Sequence, residues 1–565
     1  MSRSTRRRPL RKSQPKLLSR RSFLGQSGAS LTALGLAPLL PACDGGNGGR
    51  SPDGGAPDAL AFLHGVASGD PLSDRVILWT RVTQTGTAAV PVTVRLSTQP
   101  DFSSGVTVRN SSATPERDFT VKIDAAGLQP GTTYYYQFEA RGQRSPVGRT
   151  RTLPVDAVDR LRIAVLSCAS LAHGFFNAYA RVAERADLDL VLHLGDYLYE
   201  YGNGEYGSAR TYEPPTEIVS LEDYRARHGQ YKRDPDLQAV HRQHPLVCVW
   251  DDHESTNDSW RDGAENHQPE IEGPWPLRKS IAQQVYEEWM PIRVSDPGVI
   301  YRRFPIGSLV DLHMLDTRLL ARSEQLSPSG AVPGLPVGVF TATGAFADPA
   351  RTLLGEAQEA WLADGLRSST ATWQLLGQQV MFGQLQVLGL PRATGLSQFL
   401  NPDQWDGYPA ARDRLLNVIR GGGGFPAIDN CVVLTGDIHT SWAMNISEDP
   451  NNLLAYNPLT GIGSRAVEFV TTSVTSPGLE SLAPVGDVLR LNNPHIRYVD
   501  LASKGYLLLD ITPERCIGEF WAVDGIATRG GGERFQAAFQ VRAGTNRLSE
   551  AAQTSSRANA PPLAS

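Results

Sequence analysis

An aspartate and a tyrosine three residues apart follow a short apolar run in the segment VLHLGDYLYEY, residues 191–201. A strand that ends at Gly195 delivers the carboxylate of Asp196 and the phenol of Tyr199 into one loop. Such a pair could form half of a two-metal site for the hydrolysis of phosphate esters. A Gly-Asp pair after a buried strand is also ordinary turn chemistry, so the segment needs partners elsewhere in the chain.

Three other apolar runs end in the same kind of residue. LRIAVLSCAS (161–170) ends at Cys168, LVCVWDDHESTNDSW (246–260) carries several acids, and NCVVLTGDIHTSWA (430–443) ends at Asp437 and His439. Loops at the carboxyl ends of strands in an open α/β sheet meet in one crevice. A lone Cys at a strand end is often only a small buried hydrophobe, but four strand ends of one type favour a shared site.

These motifs resemble those of the PhoD-type alkaline phosphatases and phosphodiesterases, within the calcineurin-like metallophosphoesterases. Further segments that carry the resemblance are GVASGDP from Gly65, DYRARHGQY from Asp223, LDTR from Leu315, LLGQQVMF from Leu375 and EFVTTSVTSPG from Glu468. Together they span about residues 60 to 530. The resemblance implies a metal-dependent hydrolase that acts on organic phosphate esters through an activated water.

The residue types at the strand ends suggest two different ions. One ion would be bound by Cys168, Asp196, Tyr199 and His439. Thiolate, phenolate and imidazole favour a transition metal, and the phenolate stabilises a ferric ion. The second ion would share Asp196 and add Asp252, Asn257 and Asp437. Oxygen ligands alone suit calcium, and the resemblance implies iron together with calcium.

The WDDHE segment departs from the Gly-Asn-His-Glu of many relatives and has Asp251, Asp252, His253 and Glu254 instead. We expect Asp251 and Glu254 to orient the ligands, although Asp251 could also bind the second ion directly. His253 is the candidate for protonating the leaving alcohol or pairing with a phosphate oxygen. Its alternative role is to orient a neighbouring carboxylate.

Two arginines could stabilise the charge on phosphate. Arg225, within DYRAR, is the candidate for a bidentate contact with the equatorial oxygens. Arg318, after Asp316, is a weaker candidate of the same kind. The alternative for Arg225 is an ordinary position on a helix surface.

Residues 1–43 read as a targeting segment. They contain nine Lys or Arg and no acid, with the twin arginines Arg20 and Arg21 followed by a broken apolar stretch that ends in LPAC at Cys43. This resembles a twin-arginine signal, so we expect the twin-arginine translocon as a partner. Cys43 could carry a lipid anchor, or the chain could simply be cleaved nearby. We therefore expect a periplasmic, secreted or membrane-anchored protein.

Charge and cysteine content limit the partners and cross-links that we expect. Removing the nine positive charges of residues 1–43 lowers the formal net charge from −5 to about −14, so we expect no nucleic-acid partner. The five cysteines show no disulfide pattern. We expect a monomer.

The chain divides into five regions. Residues 44–59 read as a flexible linker, and 60–153 as a small β-sandwich similar to fibronectin type III. Residues 160–544 alternate strands and helices. The resemblance implies an α/β domain of four layers there, two packed mixed sheets flanked by helices. Insertions at 323–350 and 387–412 are expected to overhang the site. Residues 545–565 are polar and expected to be disordered.

Other functions fit the same motifs. The nearest is a phospholipase D-like enzyme or a polymer phosphodiesterase of the same fold. From a different class, a surface protein could bind phosphate on this scaffold without turnover. The intact set of candidate ligands argues for an enzyme.

Overall fold

The structure is a computed structural model that describes residues 61–331 and 338–565. The predicted signal (1–43), Cys43 and the linker (44–59) lie outside the described residues. Within the described ranges, no helix combines the length and apolar character needed to cross a membrane.

The described strands are, in chain order, β1 Val66–Gly69, β2 Arg75–Arg81, β3 Val90–Ser97, β4 Thr107–Ala113, β5 Thr120–Ala126, β6 Thr133–Ala140, β7 Gln143–Arg144, β8 Gly148–Arg151, β9 Leu161–Leu166, β10 Leu190–His193, β11 Pro245–Cys248, β12 Arg302–Ile306, β13 Val310–Met314, β14 Gly330–Ala331, β15 Gly338–Thr341, β16 Trp373–Gln378, β17 Gln398–Leu400, β18 Cys431–Thr435, β19 Ser441–Ile446, β20 Ala466–Val470, β21 Ile496–Asp500, β22 Gly505–Ile511, β23 Arg515–Val523, β24 Glu533–Arg542 and β25 Leu548–Glu550.

The described α-helices are α1 Asn177–Ala183, α2 Leu221–Lys232, α3 Pro235–Gln243, α4 Pro269–Glu272, α5 Trp275–Trp289, α6 Gly355–Ser368, α7 Pro409–Arg420 and α8 Gly486–Asn492. Short 3-10 turns lie at Pro115–Arg117, Leu171–His173, Gly344–Ala347, Arg392–Thr394, Trp405–Gly407 and Glu480–Val485. Helix α2 begins with a capping box in which Ser220 and Asp223 satisfy each other's backbone N–H groups.

Two large mixed sheets organise the molecule. One has ten strands in the order β25-β24-β23-β22-β9-β10-β11-β1-β2-β5, and the other has seven in the order β12-β13-β16-β18-β20-β19-β21. Strands β9, β10 and β11 are parallel neighbours, and β16, β18 and β20 form the parallel centre of the second sheet. Their continuous apolar runs fit burial on both faces.

A single large apolar cluster joins the two sheets. It contains Ile163 and Leu192 from the ten-stranded sheet together with Leu375, Val432 and Phe469 from the seven-stranded sheet. A second cluster lies on the other side of the seven-stranded sheet, where residues of α6 and α7 pack. The facing sheets therefore hold their carboxyl-end loops in fixed positions.

The N-terminal β region is less separate than its sequence suggests. Strands β3, β4, β6, β7 and β8 form a five-stranded sheet, but β1, β2 and β5 belong to the ten-stranded sheet. Strand β1 pairs in parallel with β11 through the register Ser68↔Pro245 and Gly69↔Leu246. One apolar cluster joins β2 and β5 to β3 and β6. Three strands of this region, β1, β2 and β5, thus share a sheet with the rest of the chain.

The C-terminal segment differs from the expected disorder of 545–565. Strand β25 pairs with β24, and residues 551–565, here called the C-terminal strap, run without regular structure across the molecule. Arg557 forms hydrogen bonds of 2.7 and 2.9 Å with Asp189, and Ala564 exchanges two hydrogen bonds with Gln243. Tyr135 donates to the carbonyl of Pro562 at 2.7 Å. Polar composition predicted disorder because it cannot reveal these specific partners in distant parts of the chain.

Candidate metal centre

The loops that follow β9 and β10 are joined directly. The N–H of Cys168 donates to the carbonyl of Gly195 at 3.1 Å, and the N–H of Ala169 donates to the carbonyl of Asp196 at 2.8 Å. Gly195 has φ +104°, and a Cβ there would lie 2.4 Å from the Cβ of Asp251. A side chain at Gly195 would therefore separate two of the loops that build the site.

Four candidate ligands share an unusual backbone conformation. Cys168, Asp196, Asp437 and His439 have φ values of 61°, 54°, 60° and 61°. Residues other than glycine seldom adopt this left-handed region, and such strain concentrates at functional sites. At each strand end the turn aims the side chain into the same interior space.

Cys168, Asp196 and His439 form a compact group. Each offers one ligand atom, and these atoms lie within 4.8 Å of one another. The phenol of Tyr199 joins them, because its hydroxyl donates to Asp196 Oδ2 at 2.8 Å and lies 3.2 Å from His439 Nε2. The structure thus brings together all four residues predicted for the first ion.

Neighbouring groups orient two of these side chains. His439 Nδ1 lies 2.8 Å from the carbonyl oxygen of Pro477. Because a carbonyl only accepts, Nδ1 carries a proton, and the other ring nitrogen, Nε2, faces Tyr199. Ser476 donates its hydroxyl to the Tyr199 oxygen at 2.6 Å and lies 3.0 Å from the Cys168 carbonyl. These contacts fix the imidazole with Nε2 directed at the ligand group, the orientation that a metal-binding histidine needs.

Without a cation, the first group would remain protonated. Burial, followed by the charge of Asp196, raises the pKa of the Cys168 thiol well above its usual value. The same two causes raise the pKa of the Tyr199 phenol. A bound metal ion reverses this preference, since a coordinated thiol is deprotonated. The donor set therefore suits a strongly charged cation.

A second group consists of carboxylates. Ligand oxygens of Asp251, Asp252 and Asp437 lie within 4.8 Å of one another, and Asp252 also groups with Asp196 and His253. Asp252 and Asp196 are fully buried. The two groups are linked where Asp196 of the first lies beside Asp252 of the second, and Asp196 is the residue predicted to bridge the two ions.

Arg318 lies among the carboxylates of the second group. Its guanidinium is fully buried, pairs with Asp251, and reaches Asp437 Oδ1 at 3.0 Å and Asp403 Oδ1 at 2.8 Å. Although burial opposes the charged form, these acids together raise the pKa of Arg318 further above its usual range. Arg318 is thus a fixed positive charge beside the predicted second ion.

Glu254 and Asn257 occupy different positions near this group. The Glu254 carboxylate accepts N–H donors from Asp196, Tyr197 and Asp251 at 3.1, 2.7 and 2.9 Å. It therefore ties the β10 loop to the β11 loop, as an orienting residue should. Asn257 is buried and its amide donates to Glu265 at 3.1 Å.

His253 stands beside the first group. Its Nδ1 lies 2.6 Å from Glu200 Oε2, and its ring centroid is 4.2 Å from that of Tyr199. Burial works against protonation, but the charges of Glu200, Asp196 and Asp252 together raise the pKa of His253 to about 10. The ring is therefore an imidazolium held in one orientation.

The structure does not bring Arg225 to the site. On α2 its guanidinium pairs with both oxygens of Glu288 at 2.8 Å and donates to the carbonyl of Glu116. Arg225 therefore joins α5 to the N-terminal β region. The DYRAR motif gave no signal for side-chain direction, and the buried arginine at the carboxylates is Arg318, from the LDTR motif.

Sequence reasoning missed several supporting residues. Glu200 holds His253, Ser476 holds Tyr199, and Gln404 donates to Asp437 Oδ2 at 2.5 Å. Glu200 and Ser476 lie inside motifs that were recognised, but their types gave no indication of these contacts. Gln404 and Asp403 come from the insertion 387–412, which does reach the site.

The residues present fit a metal site. The donor atoms combine a thiol, a phenol and an imidazole on one side with carboxylates on the other, all buried. Among the described residues, Asp251 Oδ2 has no hydrogen-bond partner although it is buried. Burying so many carboxylates requires compensating positive charge, and Arg318 supplies only one unit of it.

The site therefore gathers buried thiol, phenol, imidazole and carboxylate donors that could hold metal ions, as expected from the phosphatase motifs. Comparison with known families agrees: residues 163–520 match the PhoD-like phosphatase family, and residues 49–154 match the N-terminal domain of PhoD-like phosphatases. The chain belongs to the PhoD-like phosphatase family and is a phosphoric ester hydrolase.

Two relatives illustrate the match. The chain is 38% identical to alkaline phosphatase D of Bacillus subtilis (strain 168) over 474 residues, which covers 80% of this chain and 76% of the relative. A solved structure described as the structure of PhoD superposes with a TM-score of 0.78 at 34% identity, covering 89% of this chain and 95% of that one. The mixed multi-sheet α/β fold is shared with that protein.

Proposed function

We propose that the chain is an exported, metal-dependent alkaline phosphatase or phosphodiesterase with a binuclear site. The observation that carries this proposal is that Asp196 of the first ligand group lies beside Asp252 of the carboxylate group, with ligand oxygens within 4.8 Å of each other. One group has sulfur, phenol and imidazole donors, and the other has carboxylates. A single shared carboxylate is what two ions acting on one phosphate require.

The ligand types support iron and calcium. Cys168, Asp196, Tyr199 and His439 would hold a ferric ion, since thiolate and phenolate favour it. Asp196, Asp252, Asn257 and Asp437 would hold calcium, which prefers oxygen ligands. When bound, the ions would neutralise phosphate charge and lower the pKa of an attacking water.

The chain's own residues have separate tasks in this proposal. The imidazolium of His253, held by Glu200 at 2.6 Å, donates a hydrogen bond to a phosphate oxygen or a proton to the leaving alcohol. Arg318 fixes Asp251 and Asp437 through their carboxylates. Glu254 sets the spacing of the two loops by accepting three backbone N–H groups.

The test combines elemental analysis with two assays. Protein produced with and without iron and calcium is assayed on an aryl phosphate and a bis-aryl phosphate. We expect Asp196→Asn to lose both metals and at least about 100-fold in activity, because it removes a charged ligand of both groups. Asp262→Asn, an exposed aspartate paired with Arg261, is the matched control and should retain both.

The outcomes separate the alternatives. Full activity after complete metal removal would contradict metal dependence, and zinc in place of iron would contradict the assignment of the first ion. Preference for the bis-aryl ester or for phospholipids would identify a diesterase. Binding of these esters without turnover by the metal-loaded protein would favour a binding protein.

Export and fine architecture belong to the same proposal. The twin arginines Arg20 and Arg21 support export through the twin-arginine translocon, and replacing both with lysine should retain the protein in the cytoplasm. Cys43 would carry the lipid if the protein is anchored. We also propose a four-layer arrangement for the catalytic region and a fibronectin III-like origin for the N-terminal sandwich.

A further inference from the structure

Exposed leucines crowd one end of the seven-stranded sheet. The loop between β19 and β20 carries Leu453, Leu454, Leu459 and Ile462, whose side chains are 75%, 99%, 92% and 62% exposed. Single exposed leucines on a soluble protein are ordinary, but a group of them marks an interaction surface. The four residues lie within ten positions of one loop.

Neighbouring segments extend this surface. Leu388 and Leu491 are 53% and 80% exposed, and their segments are joined because Asn492 Nδ2 donates to the carbonyl of Val387 at 2.7 Å. Arg497 donates to the carbonyl of Pro458 at 3.3 Å and so ties the loop to β21. We call the six exposed residues Leu388, Leu453, Leu454, Leu459, Ile462 and Leu491 the leucine end.

The leucine end faces away from the candidate metal centre. Strands β18 and β20 are parallel, and the ligands Asp437 and His439 follow the carboxyl end of β18. The leucine-bearing loop instead precedes β20, at the amino ends of these strands. A partner bound at the leucine end would leave the approach to the metal centre open.

The charge pattern around the leucines favours a lipid surface. Residues 450–464 contain no charged side chain in a chain whose formal net charge is −5. Around them stand Arg420, Arg465 and Arg490, which are 48%, 39% and 47% exposed. Their nearest carboxylate oxygens lie at 3.5 to 3.8 Å. Exposed leucine side chains can enter the acyl-chain region of a bilayer, and half-exposed arginines can contact its anionic headgroups.

The part of the chain outside the structure points to the same partner. Under the proposed export, Cys43 lies about 17 residues before the first described residue, Ala61. Even a fully extended chain of that length spans at most about 60 Å, so a bilayer that held Cys43 would lie close to the described part of the molecule. A lipid on Cys43 would hold the protein at a bilayer but would not choose which end faces it.

We propose that the leucine end docks onto an anionic lipid bilayer and orients the protein with its metal centre facing away from the membrane. This inference goes beyond hydrolysis and depends on the proposed export only for the location of the bilayer. Leu454 and Leu459 insert at the interface, while the arginines contact headgroup phosphates. The alternative is that a second copy of the chain binds the leucine end and forms a dimer.

The test places a fluorophore on the exported protein as isolated. The four described native cysteines are buried and Cys43 is replaced by serine, so an environment-sensitive dye attached to Leu454→Cys reports on that position alone. We expect vesicles of phosphatidylglycerol and phosphatidylethanolamine to shift its emission to the blue, and lipids carrying a spin label to quench it. Ile271→Cys, 82% exposed on α4, is the matched control and should show neither effect.

A second variant controls for membrane binding caused by the dye itself. Leu454→Asp combined with Leu459→Asp, in the same Cys43→Ser background, should lower quenching of a dye at Leu491→Cys by about tenfold, because charged groups do not insert. The proposal is overturned if the Leu454 dye stays in water with vesicles present. It is equally overturned if the dye is shielded without lipid as protein concentration rises, which would identify a dimer. Hydrolysis of aryl phosphate is measured separately, so loss of activity does not affect this result.

Discussion

At the scale of single residues, the candidate ligands depend on neighbours outside their own motifs. His439 is oriented by the carbonyl of Pro477, Tyr199 by Ser476, and Asp437 by Arg318 and Gln404. The sequence could predict that Cys168, Asp196 and Asp437 lie close together, because each follows an apolar run that forms a strand. The supporting contacts could not be predicted, because they cross between loops that lie far apart in the chain.

Tyr199→Phe tests the phenol at the first ion. The change keeps the ring and removes the hydroxyl that donates to Asp196 at 2.8 Å. We expect iron-loaded protein to lose its visible phenolate charge-transfer band and about 10- to 100-fold in activity, with calcium content unchanged. Tyr179→Phe, another buried tyrosine, bonded to His193, should keep the band. An unchanged spectrum in Tyr199→Phe would exclude Tyr199 as a ligand.

Glu254→Gln tests the spacing of the two loops. The new amide has one acceptor oxygen, so its NH2 group would face a backbone N–H of Tyr197 or of the pair Asp196 and Asp251. We expect metal affinity to fall about 10- to 100-fold and the free energy of unfolding to fall by about 1–3 kcal/mol. Metal titration and urea unfolding measure the two effects. Equal losses in the exposed Glu270→Gln variant would show that the effect is not specific.

At the scale of elements, local patterns could predict which segments are strands but not which strands pair. The β-rich texture of residues 62–153 is correct, yet β1 joins β11, which is nearly 180 positions away along the chain, as Ser68↔Pro245 shows. Arg225 was misplaced for a similar reason. Its helix presents it to Glu288, and only the packing of α2 against α5 decides that direction.

Deleting residues 551–565 tests the C-terminal strap. The deletion leaves Asp189 without Arg557 and Gln243 without its two bonds to Ala564. Because it uncovers a partly buried acid, we expect unfolding to become easier by about 2–4 kcal/mol. The thermal midpoint should fall, while activity at low temperature is retained because the strap does not contact the metal centre. A midpoint within measurement error of the full chain would contradict a stabilising role.

At the scale of the whole molecule, the order of strand ends along the chain predicted the site better than any local motif. Cys168 and Asp196 follow strands of the ten-stranded sheet, whereas Asp437 and His439 follow β18 of the other sheet. The site exists only because the two sheets face each other over one core. The resemblance supplied that arrangement, since periodicity alone cannot distinguish one sheet from two.

The stability of the folded molecule should depend on pH through Lys232, which is buried where α2 meets Trp79 of β2. Burial lowers the pKa of Lys232 from 10.5 to about 7, although its Nζ lies 4.5 Å from the Trp79 ring, which favours the charged form. Between pH 7 and 10.5, Lys232 therefore carries its proton in the unfolded chain but not in the folded one. As a result, Lys232 makes the free energy of unfolding rise with pH across this window, by a few kcal/mol in total. Lys232→Met should remove that rise and be the more stable protein below pH 7. Urea midpoints at pH 6.5 and 9.5 measure both, with Arg515→Met, at an exposed position of β23, as control. The same rise with pH in Lys232→Met and in the unsubstituted chain would assign it to another group.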